Sequence, residues 1–95
     1  MITNKNDANK AAVLERLSAV RSVLKNEPAN ASRDRALEQC DRLELAITQF
    51  HAEGLRFAAY TLLRTVFGQG TVFTEPVQIA TQSLKSALET AGYPH

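Results

Sequence analysis

Apolar and small residues recur at alternating spacings of four and three along the middle of this chain. That spacing is typical of one side of an α-helix. No proline interrupts the sequence between Ser32 and Phe73, so the backbone there is free to remain helical. The pattern predicts one long helix over residues 33–67, about 50 Å at 1.5 Å per residue. Its apolar stripe consists of Ala36, Cys40, Leu43, Ile47, Phe50, Gly54 and Phe57.

Beyond Gly54 a second apolar stripe opens on another side of the same predicted helix. A helix with two apolar sides needs two partners, and a chain of 95 residues gains stability by burying surface in an oligomer. We therefore expect a homodimer. The substitution Leu62→Glu should dissociate it, or unfold the chain if this side is internal core. The candidate interface consists of Leu55, Ala59, Leu62, Leu63, Val66, Phe67 and Phe73.

A shorter helix is predicted on each side of the long one. The first begins near residue 9 and ends near Asn26, because Pro28 forces the residue before it out of helical geometry. The second follows Gly68, has Thr74 as its N-cap and ends at Gly92. We thus predict an all-α, three-helix protomer with a long central helix between two antiparallel shorter helices. Two protomers would pair into a dimeric bundle with coiled-coil packing.

Gly54 leaves a second architecture open. A glycine on the apolar stripe permits close approach of another helix or marks a bend, and it costs about 1 kcal/mol relative to alanine. If the long helix breaks at Gly54, its halves fold on each other and the chain is a monomeric four-helix bundle. In either case residues 1–8 are predicted to be a flexible tail and residues 9–95 a single helical domain.

Charge and composition narrow the classes of function. Eleven lysines and arginines against ten acidic residues leave a net charge of +1, without the strong positive field of nucleic-acid-binding proteins. The most apolar window, residues 55–67, is shorter than the roughly 20 apolar residues that cross a bilayer. The chain has one cysteine and no apolar signal core near its start. We expect a cytoplasmic protein with no nucleic-acid partner and no membrane association.

The sequence places no convergent set of catalytic or metal-binding side chains together. His51 and Glu53 are two residues apart and would diverge on a helix. Cys40 lies on the apolar stripe, where a thiol behaves as a small hydrophobic group. We therefore predict no enzyme activity, no metal and no cofactor.

Arg56, Tyr60 and Arg64 recur at every fourth position and form a candidate docking strip. Arginine and tyrosine contribute strongly to protein interfaces, although two arginines would also keep an apolar stretch soluble. The sequence predicts a small, non-enzymatic interaction or assembly protein of the adaptor, chaperone or inhibitor type. It would act through helix–helix packing, on its own copy or on another protein.

Two other functions remain open at this point. Arginines on the first two predicted helices allow a nucleic-acid-associated regulator, although interspersed acidic residues offset their charge. His51 on a helical bundle allows a phosphorelay or ligand-binding role. The residues after His51 lack the lysine that a phosphoacceptor histidine site carries.

Overall fold

The chain folds into four α-helices and not three. The computed structural model describes residues 5–49, 51–68, 70 and 73–93, with side chains from residue 8 onward, and all regular structure in those ranges is helical. This confirms the all-α prediction. Helix α1 begins inside the segment predicted to be a tail, of which residues 1–4 lie outside the described ranges. The helices are α1 (Lys5–Lys25), α2 (Ala31–Gln49), α3 (Ala52–Phe67) and α4 (Glu75–Ala91).

The prediction of one continuous helix over residues 33–67 is wrong. Helix α2 ends at Gln49 and α3 begins at Ala52, so the break precedes Gly54, which lies in the first turn of α3. The three-helix protomer, and the dimer built from it, are therefore not supported. The alternative four-helix architecture agrees in helix number but places the break too far along the chain. Phe50, at the break itself, lies outside the described residues.

Helices α2 and α3 run antiparallel, and so do α1 and α4. Ser32 at the start of α2 and Gly68 just after α3 line the same depression, so α3 folds back along α2. Thr74, directly before α4, donates from its backbone nitrogen and its hydroxyl to the Glu27 carboxylate, at 2.8 and 2.9 Å. Helix α4 thus begins where α1 ends. Among the described residues α1 packs most extensively on α4, and α3 packs mainly on α2 with a smaller contact to α4.

Local hydrogen bonds explain where the helices begin and end. Asn30 caps α2, because its Oδ1 accepts a hydrogen bond from the Arg33 backbone nitrogen at 2.8 Å. Gly92 ends α4 with φ 73°, a left-handed conformation that a glycine adopts without a steric penalty. These ends are set by residues close in sequence, which is why the end of α1 and both ends of α4 were predicted closely, although α1 begins at Lys5 and not near residue 9.

The helices bury their apolar stripes against one another in a common core. Within α3 the buried side is most of the second stripe of the sequence: Leu55, Ala59, Leu62 and Val66 are at most 3% exposed, while Leu63 is partly exposed. Phe57, which the sequence pattern assigned to the first stripe, is 64% exposed. The break frees α3 to rotate about its own axis, so it need not continue the orientation of α2. The buried stripes of these two helices consist of Ala36, Cys40, Leu43 and Ile47 on α2, and Leu55, Ala59, Leu62 and Val66 on α3.

The substitution Leu62→Glu should unfold this chain. Leu62 is 0% exposed, and an unpaired carboxylate in the core costs several kcal/mol, a large part of the 5–15 kcal/mol that stabilises a typical domain. The same substitution at Leu45, which is 55% exposed on α2, should change the free energy of unfolding by about 0.5 kcal/mol or less. Circular dichroism during urea unfolding measures both. A Leu62→Glu variant with an unchanged midpoint would contradict the core position of Leu62.

Candidate functional site

Helix α3 is apolar on the side turned to solvent as well as on the side turned to the core. Phe57 is 64% exposed, Tyr60 is 51% exposed and Phe67 is 46% exposed. Only two other large hydrophobic residues in the described chain, Leu45 and Ile79, are comparably exposed. We refer to one set of residues as the outward α3 face: Phe57, Tyr60, Leu63 and Phe67, with the charged residues Glu53, Arg56 and Arg64.

The residues predicted as an interface do not lie together. Five of them are buried inside this chain and offer no surface to a partner: Leu55, Ala59, Leu62, Val66 and Phe73. The remaining two, Leu63 and Phe67, lie on the outward α3 face, as do all three members of the predicted docking strip, Arg56, Tyr60 and Arg64. Sequence reasoning missed Phe57, because it assigned Phe57 to the core stripe of a continuous helix.

The charges of the outward α3 face are separated along the helix. Glu53 lies in the first turn of α3 and Arg64 in the last turn, where each interacts favourably with the helix dipole. Arg64 Nη1 donates to the Tyr60 hydroxyl at 3.2 Å. Neither Glu53 nor Arg56 forms an ion pair with another described residue. Along the line Glu53, Phe57, Tyr60 and Arg64, a negative and a positive side chain therefore lie at opposite ends of two aromatic residues, with Arg56 beside Glu53 and Phe67 beyond Arg64.

The aromatic residues of this face line two open depressions. One, of about 570 Å³, lies among Glu53, Arg56, Phe57 and Tyr60. The other, of about 280 Å³, extends from Tyr60 and Phe67 towards Lys85 on α4. Because α3 contacts α4 only slightly, none of the four described helices covers this side of the molecule. Side chains from a partner helix can pack into both depressions.

His51 has a structural task at the break. Its backbone nitrogen donates to the Ala46 carbonyl at 3.2 Å and closes α2, and its carbonyl accepts from the Leu55 nitrogen at 2.8 Å and opens α3. Its ring Nδ1 accepts a hydrogen bond from the Gly54 nitrogen at 3.0 Å. A Cβ at position 54 would lie 2.8 Å from Nδ1, so a side chain there would crowd the ring. Gly54 therefore makes room for the histidine that caps α3.

Cys40 is buried and chemically protected. Desolvation raises the pKa of its thiol from 9.0 to about 12, and this effect exceeds the opposite influence of the nearby Arg21 guanidinium. The carboxylates of Asp41 and Glu44 also raise it, and both accept hydrogen bonds from Arg21, at 3.2 and 3.4 Å. A neutral, buried thiol is a poor nucleophile and a poor metal ligand.

A polar groove between α2 and α3 is the other notable surface feature. It has a volume of about 490 Å³ and is lined by Ser32, Arg35, Gln39, Thr61, Arg64, Thr65 and Gly68. Among the described residues, no histidine, cysteine or carboxylate lines it, so these residues offer no acid and base pair of the kind found in hydrolytic sites. The described residues contain no group of three or more histidine, cysteine or acidic side chains able to hold a metal.

The arginines of the first two helices are largely engaged with acidic neighbours. Arg21 contacts Asp41 and Glu44, and Arg42 Nη2 donates to Glu38 Oε1 at 2.7 Å. These pairs offset the positive charge that a nucleic-acid phosphate would require. In the described part of the chain, no helix is long and apolar enough to cross a membrane.

The fit between His51 and Gly54 predicts that substitutions at the two positions are not additive. With His51→Ser in place, Gly54→Ala should stabilise the chain by about 1 kcal/mol, because alanine is the better helix former and serine lacks the ring. With His51 present, Gly54→Ala should lose that gain, since the added Cβ displaces the cap. Urea unfolding of the four chains gives the coupling free energy. Additive effects would contradict the fit.

The buried thiol predicts a loss of stability at alkaline pH. The folded chain keeps Cys40 neutral up to about pH 12, whereas the unfolded chain releases the proton near 9.0, so ionisation favours the unfolded state. The contribution of the neutral Cys40 thiol to the free energy of unfolding is intact below pH 9. It declines above pH 9, by up to about 1.4 kcal/mol per pH unit. The free energy of unfolding, measured with urea at about pH 8 and about pH 10, should decline less for Cys40→Ala than for the unmodified chain. Equal declines in both chains would contradict the prediction.

Comparison of this chain with protein-family models, with curated proteins and with solved structures found no match. No relative therefore supplies a function. The feature with the clearest chemical meaning is the outward α3 face, since the histidine, the cysteine and several arginines already have partners or positions inside the fold.

Proposed function

We propose that this chain is a small, non-enzymatic interaction protein that binds a helix of a partner on the outward α3 face. One observation carries the proposal: three of the five exposed large hydrophobic residues of the described chain lie on one side of one helix. Scattered surface hydrophobic residues are ordinary, but a contiguous aromatic stripe is typical of binding surfaces.

The size of the stripe supports a reversible interaction. An aromatic side chain buries about 150–250 Å², so Phe57, Tyr60 and Phe67 together expose roughly 300 Å² that a partner can cover. At about 25 cal/mol per Å² this is roughly 8 kcal/mol of gross hydrophobic free energy. Association costs about 4–15 kcal/mol, so the stripe alone supports modest affinity and needs polar contacts for more.

The binding mechanism would be helix-on-helix packing. A partner helix would lie along α3 and place apolar side chains in the two depressions, while Arg56 and Arg64 cover the margins with their aliphatic stems. The partner is a second copy of this chain or a helix of another protein. A module of this kind acts as an adaptor, a chaperone for a partner helix, or an inhibitor. A buried, reduced thiol fits a cytoplasmic location.

The two other functions gain no supporting observation. A phosphoacceptor histidine lies on an accessible side of a helix, whereas His51 lies at a helix break and its Nδ1 caps α3. A nucleic-acid regulator needs a surplus of unpaired cations on one side, whereas Arg21 and Arg42 contact carboxylates.

A photo-crosslinking amino acid placed at Tyr60 tests this function. In cells that produce the chain, position 60 should form discrete adducts, because the partner helix covers it. The additional substitution Phe57→Asp should remove them. Ile79, 61% exposed on α4, is the matched control position and should form few adducts. Mass spectrometry of the adducts measures the difference. Equal crosslinking at 60 and 79, or adducts that survive Phe57→Asp, would count against the outward α3 face as a binding surface.

A further inference from the structure

We infer that the outward α3 face binds a second copy of this chain, with the two α3 helices antiparallel around a two-fold axis between residues 58 and 59. This inference rests on the proposed function of the face and names its partner. It concerns a different surface from the stripe containing Leu62, which the chain buries within itself.

The spacing of the face is that of a helix–helix seam. Glu53, Phe57, Tyr60 and Arg64 follow one another at intervals of four, three and four, the alternation of the a and d positions of a coiled coil. An antiparallel second copy presents the same four residues in reverse order. Phe57 then faces Tyr60 of the second copy, and Glu53 faces Arg64 of the second copy. Because the axis is two-fold, each of these contacts occurs twice.

The charges select this arrangement over its competitors. In a parallel pair in register, Glu53 would face Glu53 and Arg64 would face Arg64, so both ends would repel. In an antiparallel pair centred on Tyr60, Arg56 would face Arg64, which again opposes like charges. With the axis between residues 58 and 59, Glu53 of one copy faces Arg64 of the other at each end of the aromatic seam, so each end pairs opposite charges. Complementary charge at the edges of an interface sets its register in this way.

Glu53 and Arg64 are available to contact a second copy, because contacts within the chain engage them little. Glu53 forms no ion pair with another described residue, and among the described residues the Arg64 side chain hydrogen-bonds only with Tyr60, itself part of the seam. Helix α3 contacts α4 only slightly, so a second helix can approach along its outer side. Flanking Leu63 is partly exposed and adds apolar area beside the seam.

The dimer should be reversible. Stable protein interfaces bury about 1,200–2,000 Å² in total, and a contact made through one side of a 16-residue helix falls below that range. We therefore expect a dissociation constant on the order of micromolar, with monomer dominating in dilute solution.

A charge-reversal series tests the inference by sedimentation velocity across a concentration series. The unmodified chain should convert from monomer to dimer as concentration rises. Glu53→Arg and Arg64→Glu should each weaken dimerisation at least about tenfold, since each turns two ion pairs into two repulsions. The double variant should restore dimerisation towards the original value. Arg56→Glu on the same face is the matched control and should have a smaller effect, because position 56 lies beside the seam. Circular dichroism checks that every variant remains folded.

Each other outcome overturns a distinct statement. A chain that stays monomeric up to about millimolar concentration overturns the second copy as partner, while adducts from Tyr60 with a different protein would still support the proposed function. A dimer that the double variant does not restore overturns the antiparallel register. A dimer that Phe57→Asp leaves unchanged forms through another surface and contradicts the inference, while the crosslinking at position 60 still decides the proposed function.

Discussion

The packing of α3 back along α2 is the interaction on which the rest of the structure depends. It places four apolar residues of α3, from Leu55 to Val66, against the apolar stripe of α2, and removes both from water within one chain. The burial of such stripes supplies most of the stability of small helical domains, because short isolated helices are marginal in water. Once α3 is held in this way, its opposite side must face outward, and that side carries Phe57, Tyr60 and Phe67.

The fold-back requires the chain to leave helical geometry and return to it within a few residues. His51 does so with extended backbone angles, φ −94° and ψ 97°, and it both closes α2 and caps α3. Histidine is not among the strongest N-cap residues, and its ring needs space above the first turn. Gly54 provides that space by lacking a Cβ. A glycine that weakens a helix interior is therefore useful here, where it lies three residues after the cap.

The outward α3 face connects this architecture to function. A helix at the edge of a bundle that is apolar on two opposite sides can bury only one of them internally, and the second remains exposed. The separation of Glu53 from Arg64 makes that second side self-complementary when two copies run antiparallel. In the proposed dimer, helix-to-helix burial of modest area would give an assembly that responds to concentration. The same features explain why no reactive group is needed for the proposed role.

The sequence by itself determined the all-α class, the two terminal helices and the presence of two apolar sides on the C-terminal half of the central segment. It did so because helical period, caps and the Pro28 stop are properties of residues near one another. Only the tertiary structure decided that the central segment breaks at His51 and which apolar side of α3 is buried. The reason is physical: the four-three spacing continues through Gly54 to Phe57 whether the backbone is straight or folded back. The orientation of α3 is selected by packing against α2, a contact between residues far apart in sequence. For that reason Leu62 belongs to the core, while Phe57 belongs to the surface proposed to bind a second copy.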